Sequence, residues 1–251
     1  MPRWQLRRIV PIAVLATWTL FSTANGDEDD WVVLVGRNDF KAWKNPNVWQ
    51  FVGSVKLDPK DSRRFAVEPG EGIIYNGPTG RALNLVTKQS FEDVEVHLEF
   101  NVPKGSNSGI KLEGLYEIQI LDSFGLKTLK GKDCGGVYPR AELLPKYHYL
   151  DDGYAPLVNA CKPPGEWQSL DIVFRAPRFD ESGKKTENAR FVKVVLNGQV
   201  IHDNVELRTP TGHAWRKEKE IPAGPILLQA DHGPSAFRDV KVKRLKIAGK
   251  K

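Results

Sequence analysis

Residues 107–125, "NSGIKLEGLYEIQILDSFG", decide the fold. Ile110, Leu112, Tyr116, Ile118 and Ile120 recur at every second position, the pattern of a strand with one buried face. The opposite face carries Lys111, Glu113, Glu117 and Gln119, followed by Asp122. A plainly solvated face seldom holds so many acids and amides in one row, so this face is a candidate binding surface.

The same period runs outward in both directions. "DVEVHLEFNV" sets Val94, Val96, Leu98 and Phe100 against Glu95, His97, Glu99 and Asn101. "RFVKVVLNGQVIHDNVEL" places Asn197-Gly198 between two β-rich runs, a strong hairpin signal because both turn residues must take positive φ. Shorter strands are expected at "DWVVLV", "GIIYN", "ALNLVT", "WQSLDIVFRA", "GPILLQAD" and "FRDVKVKRLKI", and no amphipathic helix stands out. Strands and turns at this spacing predict an all-β, two-sheet antiparallel sandwich of the jelly-roll kind.

Two segments break the rhythm. Residues 127–164 are rich in Gly, Pro and Tyr and poor in alternation. Tyr138, Tyr147, Tyr149 and Tyr154 suggest an ordered loop packed over the domain. "RTPTGHAWRKEKEIPAG", residues 208–224, reads as a charged surface excursion, with His213 at the surface. His202 reads as a surface residue too, and Trp31, Trp43, Trp49 and Trp215 as packing residues.

At the N-terminus, "MPRWQLRR" followed by "IVPIAVLATWTLF" predicts a signal peptide over residues 1–26, with cleavage after Gly26. Residues 27–251 are then expected to form one exported, soluble domain. Much of the +6 formal charge lies in the leader and the last residues, and lysines elsewhere alternate with acids. Nucleic acid is therefore not an expected partner. Cys134 and Cys161 are the two cysteines, and export to an oxidising compartment makes a disulfide between them the expectation, with two buried thiols as the alternative.

The opening stretch, with "GEWQSLDIVFRAPRFDESGK", "VLNGQVIHDNVEL" and "LLQADHGPSAFRDVKVKRL", resembles the 3-keto-disaccharide hydrolases. This family, formerly domain of unknown function 1080, is also described as 3-keto-glycoside 1,2-lyases. The likeness spans the mature chain. It implies a concanavalin A-like sandwich and a reaction in which a C3 ketone acidifies the C2 hydrogen, so that a base can drive loss of the C1 aglycone before water adds.

On that basis Glu117 and Gln119 lie on a concave sheet face, with His97 and Glu99 on the strand before, and Asp171, Arg175 and Trp167 on "WQSLDIVFRA". Glu117 or His97 would be the base, Arg175 or a divalent cation would stabilise the enolate, and His232 or His148 would be the acid. Trp167 could stack on a sugar. Gln119, Glu99, Asp171, His148, Gln229 and Asp231 would contact substrate. Ala230 separates Gln229 from Asp231, unlike the family pattern, which leaves open whether Asp231 or His232 points inward. A catalytic metal could draw on Glu117, Gln119, His97 and Asp231. The rival reading is a non-catalytic carbohydrate-binding domain on the same sandwich. A conventional glucanase fits less well, because Glu117 and Asp122 differ in parity.

Overall fold

The computed structural model describes residues 30–36, 38–44 and 46–247. The expected signal peptide, residues 1–26, lies outside the described residues.

The opening stretch folds as a hairpin and not as one strand. β7 (Asn107–Leu112) turns through Glu113 and Gly114, at φ of 56° and 72°, into β8 (Tyr116–Leu121). Leu112 faces Tyr116 across the turn and Lys111 faces Glu117, so the period-two alternation passes through unbroken. Ile110, Leu112, Tyr116, Ile118 and Ile120 are all buried.

This hairpin belongs to a five-stranded sheet. Its order is β2 (Trp43–Lys44), β5 (Leu85–Phe91), β16 (Gly224–Leu228), β7, β8. The second sheet has eight strands, and its main path starts with β15 (Gln199–Leu207), β14 (Ala189–Leu196), β11 (Gln168–Arg175) and β6 (Val94–Asn101). It continues through β17 (Ala236–Arg244), β4 (Asp61–Tyr75) and β3 (Gln50–Asp58), while β1 (Trp31–Val35) pairs with β17 off that path. Every strand pairing is antiparallel. The expected turn at Asn197-Gly198 is present, with φ of 51° and 79°, and joins β14 to β15. Small hairpins form from β9 (Ala141–Glu142) with β10 (His148–Tyr149), and from β12 (Arg178–Phe179) with β13 (Lys185–Glu187). The helix among the described residues, α1 (Ala214–Lys217), is a single turn.

The inner faces of the two sheets meet in one apolar core. Tyr116 of the small sheet and Phe174 of the large sheet pack with ring centroids 5.5 Å apart. Trp43 and Trp49 are buried in this core, as their packing reading requires. This is the two-sheet antiparallel jelly-roll sandwich that the alternation implies. No described helix is long and apolar enough to cross a membrane.

The long segment after β8 pairs along the edge of β8 and supplies part of the wall around the outer face of the small sheet. Val137 bridges Ile118 on one side and Tyr154 on the other, and Tyr138 N donates to Glu117 O at 3.1 Å. Cys134 and Cys161 lie in this segment as free, buried thiols, in place of the expected disulfide. The two side chains share a hydrogen bond, and that contact together with burial pushes the Cys161 thiol up.

Candidate active site

The outer face of the small sheet floors a cavity of about 440 Å³. Asn107, Lys111, Glu117 and Gln119 rise from the hairpin, and Gln229, Asp231 and His232 reach in from the end of β16. Tyr138, Leu143 and Tyr147 of the long loop, Asn84 before β5, and His213 after β15 complete the walls.

At its centre Lys111 Nζ stands 3.1 Å from Glu117 Oε2, with 15% and 4% of the two side chains exposed. The register brings them together, since residues directly opposite on antiparallel strands share a face. Gly109, two residues along the strand on the same face, leaves room for the carboxylate. Thr211 ties the floor to the second irregular segment, accepting from Glu117 N and donating to Leu115 O. Gln119 Nε2 donates to Lys132 O at 3.2 Å, while its Oε1 is buried without a partner among the described residues. Such an acceptor costs about 1–3 kcal/mol until a donor meets it.

Two imidazoles flank the pair. His232 Nδ1 lies 2.6 Å from Asp231 Oδ1, and both residues line the cavity, so neither side of the choice left by Ala230 is turned away. His213 is exposed at the cavity wall, and partial desolvation, with the charges of Lys111 and Lys217, holds it below the ordinary histidine value. The loop tyrosines form a cluster in which Tyr138 Oη is 2.9 Å from Tyr147 Oη and 3.1 Å from Tyr149 Oη.

The structure gathers Glu117, Gln119, Gln229, Asp231 and His232 from the expected set and sends the rest elsewhere. His97, Glu99, Asp171 and Trp167 sit on or beside β6 and β11, in the other sheet. Their polar face is therefore the outer face of the opposite side of the sandwich, and none of them lines the Glu117 cavity. There His97 Nδ1 lies 2.6 Å from Asp171 Oδ1 and its Nε2 lies 3.2 Å from Asp239 Oδ2. Glu99 pairs with Arg238, whose guanidinium covers the Trp167 ring at 4.1 Å. Trp167 is thus a partner of arginine and of the small cluster around Val52 and Tyr75, not a free stacking platform. Arg175 is buried against Glu187 at 2.7 Å and donates to Asn188 O. His148 is exposed in β10, with Nδ1 at 2.9 Å from Lys146 O. His202 is buried rather than at the surface, 2.7 Å from Gly135 O.

The metal set drawn from Glu117, Gln119, His97 and Asp231 does not fit. His97 belongs to the opposite sheet, the Lys111 ammonium already sits on the Glu117 carboxylate, and no cluster of three or more His, Cys, Asp or Glu residues suits a metal among the described residues.

Lys111, placed on this face by its parity, had no assigned role, His213 lies at the surface as expected but lines the cavity, and Asn107 and Asn84 were not expected at the site. Lys111 and Asn107 share the parity of Glu117, which was the available signal. His213 lies in a stretch with no periodicity to read.

Amides, acids, imidazoles and tyrosines thus converge on one outer sheet face of an antiparallel sandwich, and the family and relatives of the chain make it a carbohydrate-active protein, hydrolase-like in class. The chain belongs to the family of 3-keto-alpha-glucoside-1,2-lyase-like domains, which it matches over residues 30–243. It is 24% identical over 220 residues to a 3-keto-disaccharide hydrolase of Bacteroides thetaiotaomicron, a match covering 84% of this chain and 68% of the relative. Among solved structures it resembles a protein of Parabacteroides distasonis provisionally described as a glycosyl hydrolase, with 27% identity, a TM-score of 0.64, and 86% and 84% of the two chains covered. A second protein so described from that organism shares the fold at 21% identity and a TM-score of 0.54, over 86% of this chain and 99% of its own.

Proposed function

We propose that the protein is exported and cleaves 3-keto-glycosides by elimination followed by hydration. The observation that carries this reading is the Lys111–Glu117 pair at 3.1 Å on the cavity floor. The reaction needs a base at C2 and a positive group at the C3 oxygen, and these two atoms sit on adjacent carbons. Base and cation must therefore be neighbours, as two facing residues of one hairpin are.

Glu117 takes the C2 proton. The electrons of the C2–H bond move into an enolate on the C3 oxygen, which the Lys111 ammonium stabilises with one of its three donors while another stays on Glu117. The enolate then re-forms the ketone, its electrons make the C1–C2 double bond, and the C1–O bond breaks. The departing oxygen receives its proton from His232, whose ring is held by Asp231 at 2.6 Å. Water adds across the C1–C2 bond, returning a proton to C2, and the net change is hydrolysis.

Turnover of a 3-keto-disaccharide and of its unoxidised parent in deuterium oxide tests this. The expected result is cleavage of the keto form alone, with solvent deuterium at C2 of the product above the enzyme-free exchange. Equal cleavage of both sugars, or full retention of the original hydrogen at C2, would overturn the route. Cleavage of neither, with measurable sugar binding, would favour a carbohydrate-binding domain.

A further inference from the structure

A second cavity, of about 480 Å³, adjoins the first and has a different chemistry. The two share His213 and Leu143 as a common wall. Beyond that wall the lining is apolar, with Leu143, Leu144 and Trp215 foremost. Its polar groups are largely engaged with one another. The Trp215 indole N–H donates to Ala141 O at 3.1 Å, and Arg216 pairs with Glu142 at 3.1 Å across the rim. Leu143 and Leu144 are 43% and 78% exposed. Large aliphatic side chains held open beside a polar cavity are the usual lining of a small-molecule subsite.

We infer that this second cavity is an aglycone subsite for an apolar, aromatic group joined to the sugar that lies over Lys111 and Glu117. The inference rests on reading the first cavity as the 3-keto-glycoside site. The occupant follows from continuity and lining. A substrate whose sugar fills the polar cavity must send its C1 substituent out through one wall, and the wall at His213 opens on a space that offers a second sugar few free hydrogen-bonding partners. The Arg140 guanidinium covers one face of the Trp215 ring at 5.3 Å, so a flat ring can lie against the two exposed leucines and the part of the indole that lines the cavity. The seam fits the same leaving group. The neutral form of His213, which partial desolvation and the nearby lysines favour, suits a hydrogen bond to a departing phenolate, whose conjugate acid titrates near that of tyrosine at about 10, better than it suits protonation of a far more basic sugar alkoxide.

The test compares kcat/KM for the 3-keto-glucosides of phenol and 2-naphthol, two leaving groups of similar acidity, in the wild type and in Leu144→Asp. Leu144 is exposed enough for the variant to fold, which its Tm will report. The naphthyl glycoside should be preferred about tenfold, as an extra apolar group in a matching pocket allows, and the preference should fall towards one in the variant. Free 2-naphthol should bind the wild type and bind Leu144→Asp more weakly, by its own fluorescence. Equal kcat/KM for both glycosides in the wild type, with turnover intact, would overturn the subsite and leave the sugar site standing. Absence of turnover on either, with 2-naphthol binding that Leu144→Asp weakens, would overturn the reaction while supporting the apolar site. No 2-naphthol binding to the wild type would overturn the subsite directly.

Discussion

Gly109 lies directly behind the Glu117 carboxylate: a Cβ on Gly109 would stand 2.4 Å from Glu117 Oε1 and 3.2 Å from Glu117 Cδ. That missing carbon is what lets the carboxylate lie across the strand towards Lys111. In Gly109→Ala the carboxylate must move, and because it is the end of a flexible side chain it can do so at little cost to the fold. Alanine is otherwise favoured over glycine in a strand interior by about 0.5–1 kcal/mol. The expected variant keeps or slightly raises Tm and loses about 10²-fold in kcat/KM, the effect of a displaced catalytic group. Full activity in a folded Gly109→Ala protein would show that the position of the carboxylate does not matter.

Glu117→Gln keeps the size of the side chain and removes its charge, so kcat should fall by roughly two to four orders of magnitude on a 3-keto-glycoside. From the sequence, a solvated side chain at this position would leave stability untouched. The structure changes that expectation, because Glu117 is buried and its loss leaves the Lys111 ammonium unpaired. Some destabilisation should follow, less than the about 3–5 kcal/mol of a fully enclosed pair because the cavity opens to water. Lys111→Met with Glu117→Gln should recover much of it while remaining inactive. Ile118→Ala, one position along and facing the core, should cost about 2–5 kcal/mol in denaturant unfolding.

The contrast between Glu117 and Ile118 was legible in the sequence because alternation is local: parity alone assigns each residue to a face of its strand. What parity cannot assign is the sheet. His97, Glu99 and Asp171 have the expected parity and do point away from the core, but β6 and β11 pair within the eight-stranded sheet, so they point out of the other side of the molecule. Pairing between strands distant in sequence decides that, and no short window contains it. His213 was illegible for a related reason. Its place is set by contacts outside its own segment, Thr211 with Leu115 and Gly212 with Pro139 and Arg140. Lys111 was legible as a member of the polar face, but its role was not, because nothing in the sequence shows that β7 and β8 turn back on each other to set it against Glu117.

Two histidines should give stability opposite pH slopes. His97 is held above its ordinary value by its hydrogen bond to Asp171 and by the charges of Asp171 and Asp239, against burial and Lys241. The folded state therefore binds its proton more tightly, and this contribution is complete below about 6.5 and lost as pH rises through the folded value. His202 is held below its ordinary value by burial, so its contribution is present above about 6.5 and lost as pH falls. Tm measured from pH 5 to 8 should lose part of its alkaline decline in His97→Gln and part of its acid decline in His202→Gln. A His97→Gln profile parallel to that of the wild type would remove the two aspartates as a source of stability.

Glu113 provides the sharpest stability test, because the hairpin turn buries its carboxyl with no partner for either oxygen among the described residues. Burial first, and then the charges of Glu220, Asp93 and Glu92, push it up to about 9, with Arg178 opposing. The folded protein at pH 7 thus holds a proton that the unfolded chain has released since about 4.5. Keeping that proton costs on the order of 3 kcal/mol at pH 7, a penalty that grows from the unfolded value towards the folded one and vanishes in acid. Glu113→Gln removes the titration while keeping size and a hydrogen-bonding end. It should therefore stabilise the protein at neutral pH, up to that order, with the gain shrinking as pH falls towards 4.5. Urea unfolding of both proteins at pH 4.5, 7 and 8.5 measures it. Equal stability at all three would mean that the Glu113 carboxyl is ionised in the folded state and has found a partner.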